Sequence, residues 1–214
     1  MRVYLIDGRE KIGKTEFSSL LGNKLAKDKK TLIIGARRSE NSNIEDFYKK
    51  DGMITYDLCD YFLDYADIKT IINKSNDKLD FIISPLVNGK YEITKEDIGK
   101  LMEEVSYDYL IFDGLDPSLV DDKISIKIIG QNDLDEPIDA DYFFINKAKE
   151  DFDPRLAKDH IEGQASKYLG YVNENGSFNN ILDNLLKEKE EPVGKLGFFE
   201  KLKMKFKWWS HIFL

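Results

Sequence analysis

Cysteine is almost absent from this 214-residue chain: Cys59 stands alone. That excludes an internal disulfide and any cysteine-rich zinc site. No apolar run is long enough to span a bilayer, so a transmembrane helix is not expected. The opening stretch Met1-Arg2-Val3-Tyr4-Leu5-Ile6-Asp7 has only four apolar residues before an acid. A secretory signal needs a longer apolar core, so a cytoplasmic N-terminus is expected. Histidine is also scarce. His160 and His211 have no partner at ligand or triad spacing, and neither is assigned to catalysis. No internal repeat is found.

What the chain does have is charge and apolar patterning sufficient for a packed domain: 34% charged, 42% hydrophobic and 12% aromatic residues. Net charge is −8, unevenly spread. Residues 194–214 carry five lysines and Glu200, a balance of +4, which leaves 27 basic and 39 acidic side chains, −12, on the rest. An acidic body argues against sequence-independent DNA binding. Acidic clusters such as Asp133 to Glu136 read as solvated loops, and Cys59, on a helical apolar stripe, as a core residue.

Short β-rich runs punctuate the body: Val3–Ile6, Thr31–Ile34, Phe81–Ile83, Tyr109–Phe112, Tyr142–Ile145 and Tyr168–Val172. Their length and unbroken hydrophobicity suit buried parallel strands. Ile124 to Ile129 alternates isoleucine with polar residues, as an edge strand does. Apolar positions at helical spacing predict helices over 14–27, around 98–105, over 157–168 and around 178–186, with 41–80 mostly helical. Strand, glycine turn, helix and strand within about 34 residues form a βαβ unit with a right-handed crossover. The whole reads as a three-layer α/β domain, a mostly parallel sheet with helices on both faces, over 1–186. A charged linker is expected over 187–194 and a separate segment over 195–214.

The βαβ turn carries the chemistry. Gly8-Arg9-Glu10-Lys11-Ile12-Gly13-Lys14-Thr15 satisfies G-x-x-x-x-G-K-[ST]. Glycines let the backbone curl so that main-chain N–H groups converge, and the helix that follows aims its positive end at the same point. Lys14 would reach the β- and γ-phosphates of a nucleotide, and the Thr15 hydroxyl would sit on Mg²⁺. A chance match in a chain of this length is about a 1-in-100 event; a plain glycine turn with an exposed lysine is the alternative. Asp113 ends a hydrophobic strand, where an acid can hold Mg²⁺ through water; it is otherwise an ordinary polar strand end.

With these residues the chain resembles the MinD/ParA group of P-loop ATPases. Tyr107-Asp108-Tyr109-Leu110-Ile111-Phe112-Asp113 is similar to the group's acid-terminated strand. Residues 57–62 with Ile68, and then 79–85, track its middle portion. Ile145-Asn146-Lys147 resembles the strand end whose asparagine contacts adenine, and Leu169-Gly170-Tyr171-Val172 the strand that follows. The resemblance implies a P-loop NTPase fold, ATP and Mg²⁺ as cofactors, and a nucleotide-dependent homodimer. It implies a nucleotide site made of residues 8–16, Glu16 included, with Asn146 and Lys147.

The chain also departs from that pattern. The group's signature lysine is Arg9, its two following glycines are Glu10 and Lys11, and its second threonine is Glu16. After the second strand, where the group carries an Asp that positions the attacking water, the chain reads Gly35-Ala36-Arg37. The stretch from Asp113 to Asn146 is short. Phosphate binding keeps its parts while hydrolysis loses one, so nucleotide binding with slow or absent turnover is expected.

Residues 195–214 hold both tryptophans. On a helical projection Phe198, Phe199, Leu202, Phe206, Trp209, Ile212 and Phe213 share one face; Lys203 and Lys207 lie opposite, and Trp208 belongs to the same aromatic stretch. This is the pattern of an interfacial helix on anionic lipid. Packing on the acidic body or docking to a partner protein would use the same pattern. The resemblance agrees with the membrane, since MinD-like proteins carry a C-terminal membrane-targeting helix. It implies a peripheral protein on the inner face of the cell membrane that recruits or positions a protein partner. The competing readings are a pseudo-ATPase scaffold, a DNA-partitioning ATPase, disfavoured by the acidic body, and a tyrosine kinase, whose C-terminal tyrosine cluster is missing.

Overall fold

Among the described residues eight strands form one sheet in the order β3-β4-β2-β5-β1-β6-β7-β8, and every neighbouring pair is parallel except β3 against β4. The computed structural model describes residues 1–40, 42–50, 52–197 and 200. In chain order the elements are β1 (Arg2–Gly8), α1 (Lys14–Leu25), β2 (Thr31–Gly35), α2 (Ile44–Phe47), α3 (Leu58–Phe62), α4 (Ile68–Ile71), β3 (Asn73–Lys74) and β4 (Leu79–Ile82). They continue with α5 (Lys95–Glu104), β5 (Tyr109–Asp113), a 3₁₀ turn at Pro117–Leu119, β6 (Ile124–Ile129), β7 (Tyr142–Ala148), α6 (Lys158–Glu162), β8 (Lys167–Asn173) and α7 (Asn179–Leu186).

Strand alternation sorts the core into layers. Tyr4 and Ile6 of β1 face the side covered by α1 and α7, packing with Phe17, Leu21, Phe144 and Ile181. Val3 and Leu5 face the other side with Leu58, Ile71, Ile98 and Leu101 of α3, α4 and α5. Beyond β6 that second face is closed by Leu134, Ile138 and Ile161 over Phe143 and Ile145. The expected three-layer α/β architecture is therefore present, with the sheet buried on both faces.

Four local expectations change. Ile124–Ile129 is not an edge strand: it lies between β1 and β7, parallel to both. Its polar positions are tolerated because each finds a partner. The Ser125 N–H and hydroxyl both donate to Asp141, at 2.8 Å each, and Lys127 lies 4.0 Å from Asp7. The 41–80 stretch is not mostly helical. It makes three helices of four or five residues and the short β3. Left-handed turns at Lys49 and Asp64 end α2 and α3. The helix expected over 157–168 stops at Glu162, because the next polar side chains are used elsewhere. Gln164 accepts from the Ile138 N–H, and the Ser166 hydroxyl donates to the Ile138 and Ala140 carbonyls, both bracing the β6–β7 loop. Helix α1 ends at Leu25, two residues before the expected end.

Residues 187–197 are laid along the outer strand β8. The Glu191 N–H donates to the Tyr168 carbonyl at 2.7 Å, Val193 packs on the Phe143 cluster, and Lys158 donates to the Val193 carbonyl at 2.6 Å. Arg155 then pairs with Glu200 at 2.9 Å, and Glu200 accepts from the Gly197 N–H at 2.8 Å. The proposed membrane residues Phe198, Phe199, Leu202, Lys203, Phe206, Lys207, Trp208, Trp209, Ile212 and Phe213 lie outside the described residues. Among the described residues no helix is long and apolar enough to cross a membrane.

Candidate phosphate-binding site

The loop between β1 and α1 has the backbone shape that its motif requires. Gly8 has φ 152° and Gly13 φ 93°, conformations that L side chains rarely adopt. A Cβ on Gly8 would meet the Ile128 carbonyl at 2.5 Å, and one on Gly13 the Asn146 amide at 2.6 Å. Lys11, where the resemblance has glycine, is also left-handed at φ 61°. The curl therefore survives the loss of that glycine, at a conformational cost of about 1–2 kcal/mol.

Lys14 is half-buried and folds back over the loop. Its ammonium donates to the Gly8 carbonyl at 2.7 Å and the Arg9 carbonyl at 2.8 Å. Burial holds it below its ordinary 10.5. Arg37 adds to that lowering, while Asp113, Asp7 and Glu10 oppose it. Asp113 ends β5 beside Ile6 of β1 and Gly35 of β2. Only 4% of it is exposed, and its Oδ1 has no hydrogen-bond partner; neither has the buried hydroxyl of Ser18. Burial pushes the Asp113 carboxyl up to about 6, against the opposing pull of Thr15, Lys14 and Ser18.

A cleft of about 360 Å³ opens over these groups. Its wall joins Glu10, Lys11, Gly13, Lys14, Thr15, Glu16, Asp113 and Lys147 to Arg37, Arg38, Ser39, Ser42 and Gly114. Five of these are Lys or Arg and three are Glu or Asp, so the cleft is locally basic on an acidic body.

Not every expected residue faces this cleft. Ile12 is buried in the core, 2% exposed. Gly8 takes part through its carbonyl, which holds Lys14. Arg9 turns to the far side of the loop, where its guanidinium lies 3.6 Å from Asp133. Asn146 is buried under the loop and donates from its side-chain amide to the Ile12 carbonyl at 2.8 Å, bracing the curl from below. Sequence reasoning missed Ser18, Arg38, Ser39, Ser42 and Gly114. Ser18 was within reach, since it lies three residues beyond Thr15 on the same helix face. The others depend on how the end of β2 meets the end of β5.

An orphaned carboxylate oxygen beside Thr15 suits a hydrated Mg²⁺ held mainly by water and phosphate. Among the described residues no group of three or more His, Cys, Asp or Glu is placed to hold a metal by protein ligands alone. Cys59 is fully buried, and burial pushes its thiol up to about 11, so it stays an unreactive core residue.

No protein-family model matches the chain, and no curated protein matches it in sequence. Solved structures do match. The MinC:MinD cell division complex of Aquifex aeolicus is similar with a TM-score of 0.69 and 17% identity, over 92% of this chain and all of the matched one. The AMPPNP-bound plasmid partition protein of Borrelia burgdorferi has a TM-score of 0.63 and 17% identity, over 87% of this chain and 98% of that one. The septum site-determining protein MinD of Pyrococcus horikoshii, complexed with Mg-ADP, has a TM-score of 0.61 and 16% identity, over 93% of each chain. The chain thus has the mostly parallel α/β fold of the MinD and ParA P-loop NTPases.

Proposed function

We propose that the protein is a nucleotide-binding, membrane-associated positioning or recruitment protein of the MinD/ParA kind, with slow or no ATP hydrolysis. One observation carries the reading: the curled loop, Lys14, Thr15 and the buried Asp113, whose Oδ1 has no hydrogen-bond partner, converge on one basic cleft. The solved structures of this fold include complexes with AMPPNP and with Mg-ADP, which supports ATP and Mg²⁺ as the ligands. Main-chain N–H groups of the loop and the Lys14 ammonium would grip the phosphates, while Thr15 and Asp113 would hold Mg²⁺, which neutralises phosphate charge when bound.

Turnover is expected to be slow because Arg37 stands where MinD-like proteins carry a water-positioning acid. In this reading nucleotide favours a homodimer, and two tails together hold an anionic inner membrane that one tail holds only marginally. A protein partner would be recruited through the body, in keeping with the MinC:MinD assembly among the similar structures. A catalytically inactive scaffold is the second reading, favoured by the same Arg37. DNA partitioning is disfavoured by the −12 body.

Calorimetric titration of ATP and ADP with Mg²⁺, read together with oligomer size, tests the switch. Heat with either nucleotide that disappears in Lys14→Ala supports it; no heat with any nucleotide ends it. A turnover rate like that of intact relatives, abolished by Lys14→Ala, would overturn the expectation of slow hydrolysis. Flotation on anionic vesicles, comparing the full chain with one ending at Glu200, tests the anchor. Equal flotation rejects it.

A further inference from the structure

We infer that Arg37, rather than Arg9, is the second cation of the phosphate site, supplied by the same chain that holds the nucleotide and directed at the terminal phosphate of a triphosphate. The inference rests on the nucleotide reading above and specifies which residue distinguishes a triphosphate from a diphosphate.

Arg9 follows Gly8 and looks like the natural second cation, but its geometry removes it. Its carbonyl faces inward and accepts from Lys14 at 2.8 Å, so its side chain leaves by the opposite side of the loop. There one guanidinium nitrogen comes within 2.7 Å of the point where a Cβ on Gly130 would stand, and Nε lies 3.6 Å from Asp133. Arg9 contributes nothing to the wall of the phosphate cleft.

Arg37 enters that wall from a different strand. The Ala36 N–H donates to the Asp113 carbonyl at 3.0 Å, which ties the end of β2 to the end of β5 just before Arg37. Gly114, at φ 76°, lets the two chains meet. A Cβ on Gly114 would stand 3.4 Å from the Arg37 Cβ and 3.8 Å from the Lys14 Cε, so the stems of the two side chains pass close together, and both residues line the same cleft. The repulsion between them contributes to the lowered pKa of Lys14.

Arg37 has an acidic neighbour, Asp116, whose carboxyl its charge helps to lower, but holds no partner at contact distance. It closes no ion pair and no hydrogen bond among the described residues. Its neighbour Arg38 is held by Glu45 at 2.8 Å, and Lys11 lies 3.5 Å from Glu40. Lys147 also lines the cleft, next to Asn146, which braces the loop near Gly13.

Two like charges in one cleft, neither closing an ion pair among the described residues, repel until an anion arrives between them. The P-loop lysine serves the β- and γ-phosphates, so the anion that fills the spot beside it is the terminal phosphate. A guanidinium presents two parallel N–H groups to phosphate oxygens, and a preorganised arginine loses little freedom in doing so. The substitution that removed a water-positioning acid therefore added a phosphate clamp. Because the clamp comes from the same chain, it acts without a second subunit. The expected result is a site that prefers a triphosphate to a diphosphate.

The test compares the affinities of ADP and the non-hydrolysable triphosphate AMPPNP, with Mg²⁺, by calorimetry on the full-length chain and on Arg37→Ala, Arg37→Lys, Arg9→Ala and Lys14→Ala. Arg37 is exposed, so the fold survives its loss, and unchanged melting of the variant confirms this. The expected outcome is that Arg37→Ala weakens AMPPNP by about 10- to 100-fold, the range of one charge-assisted contact, and ADP by less than about 3-fold. Arg37→Lys should restore part of the difference. Equal loss of both nucleotides in Arg37→Ala, no loss of either, or a selective triphosphate loss in Arg9→Ala instead would overturn the inference while leaving nucleotide binding intact. Failure of the wild-type chain to bind either nucleotide would overturn the nucleotide reading itself, and this inference with it.

Discussion

Asp113 is placed where its charge costs the empty protein stability. Its carboxyl moves from an ordinary 3.8 to about 6 on folding, chiefly through burial. At ~1.4 kcal/mol per pH unit, the carboxylate form costs about 3 kcal/mol of folding free energy. The sign follows from proton counting. Between about pH 4 and pH 6 the folded chain binds more protons at this position than the unfolded chain. Stability from this group therefore falls as pH rises through that window, and the full penalty stands above pH 6. Asp113→Asn removes the titration and keeps the shape. In urea unfolding without nucleotide, the variant should match the wild type near pH 4.5 to within about 1 kcal/mol. It should exceed the wild type by about 2–3 kcal/mol at pH 7.5. With Mg²⁺ and a triphosphate the order should reverse, because only the carboxylate can hold the hydrated metal. A variant less stable than wild type at pH 7.5 without ligand would refute the reasoning. So would a difference between the two that does not change with pH.

Lys90 ties the 84–93 loop to the start of α3, at 3.2 Å from the fully buried Asp57 and 2.5 Å from Asp60. Lys90→Ala leaves Asp57 uncompensated and should cost about 3 kcal/mol, seen as a lower urea midpoint with an unchanged slope. Unaltered stability would mean that the N–H groups of Cys59, Asp60 and Leu86 satisfy Asp57 by themselves. Gly13→Ala forces a left-handed alanine and drives its Cβ to 2.6 Å from the Asn146 amide. It should lower stability by about 1–3 kcal/mol and weaken nucleotide binding more than Glu16→Ala does, as measured by melting and calorimetry.

Much of the fold was legible because it is written in local pattern. The buried runs at 3–6, 32–34, 109–112 and 142–145 are short, rich in β-formers and apolar at consecutive positions, which suits a strand covered on both faces. The phosphate loop is a fixed spacing whose residues touch one another, so its chemistry needed no distant partner. Where the reading went wrong, side chains far away in sequence decided the outcome. Ser125 and Lys127 gave β6 the look of an edge strand, but Asp141 and Asp7 satisfy them in the interior of the sheet. A helix is expected over 157–168, but the hydrogen bonds of Gln164 and Ser166 to the β6–β7 loop go with its end at Glu162.

The sequence by itself determined the α/β class, the curled loop with Lys14 and Thr15, and the acid that ends the fifth strand, since each depends on residues within a few positions of one another. Only the tertiary structure decided which cations share the cleft. Arg9 is next to the motif and turns away to Asp133, whereas Arg37, more than twenty positions distant, is brought beside Lys14. The physical reason is that a parallel sheet aligns the ends of strands that are remote in the chain, and the direction a side chain takes there is set by the hydrogen bonds of its neighbours' backbone.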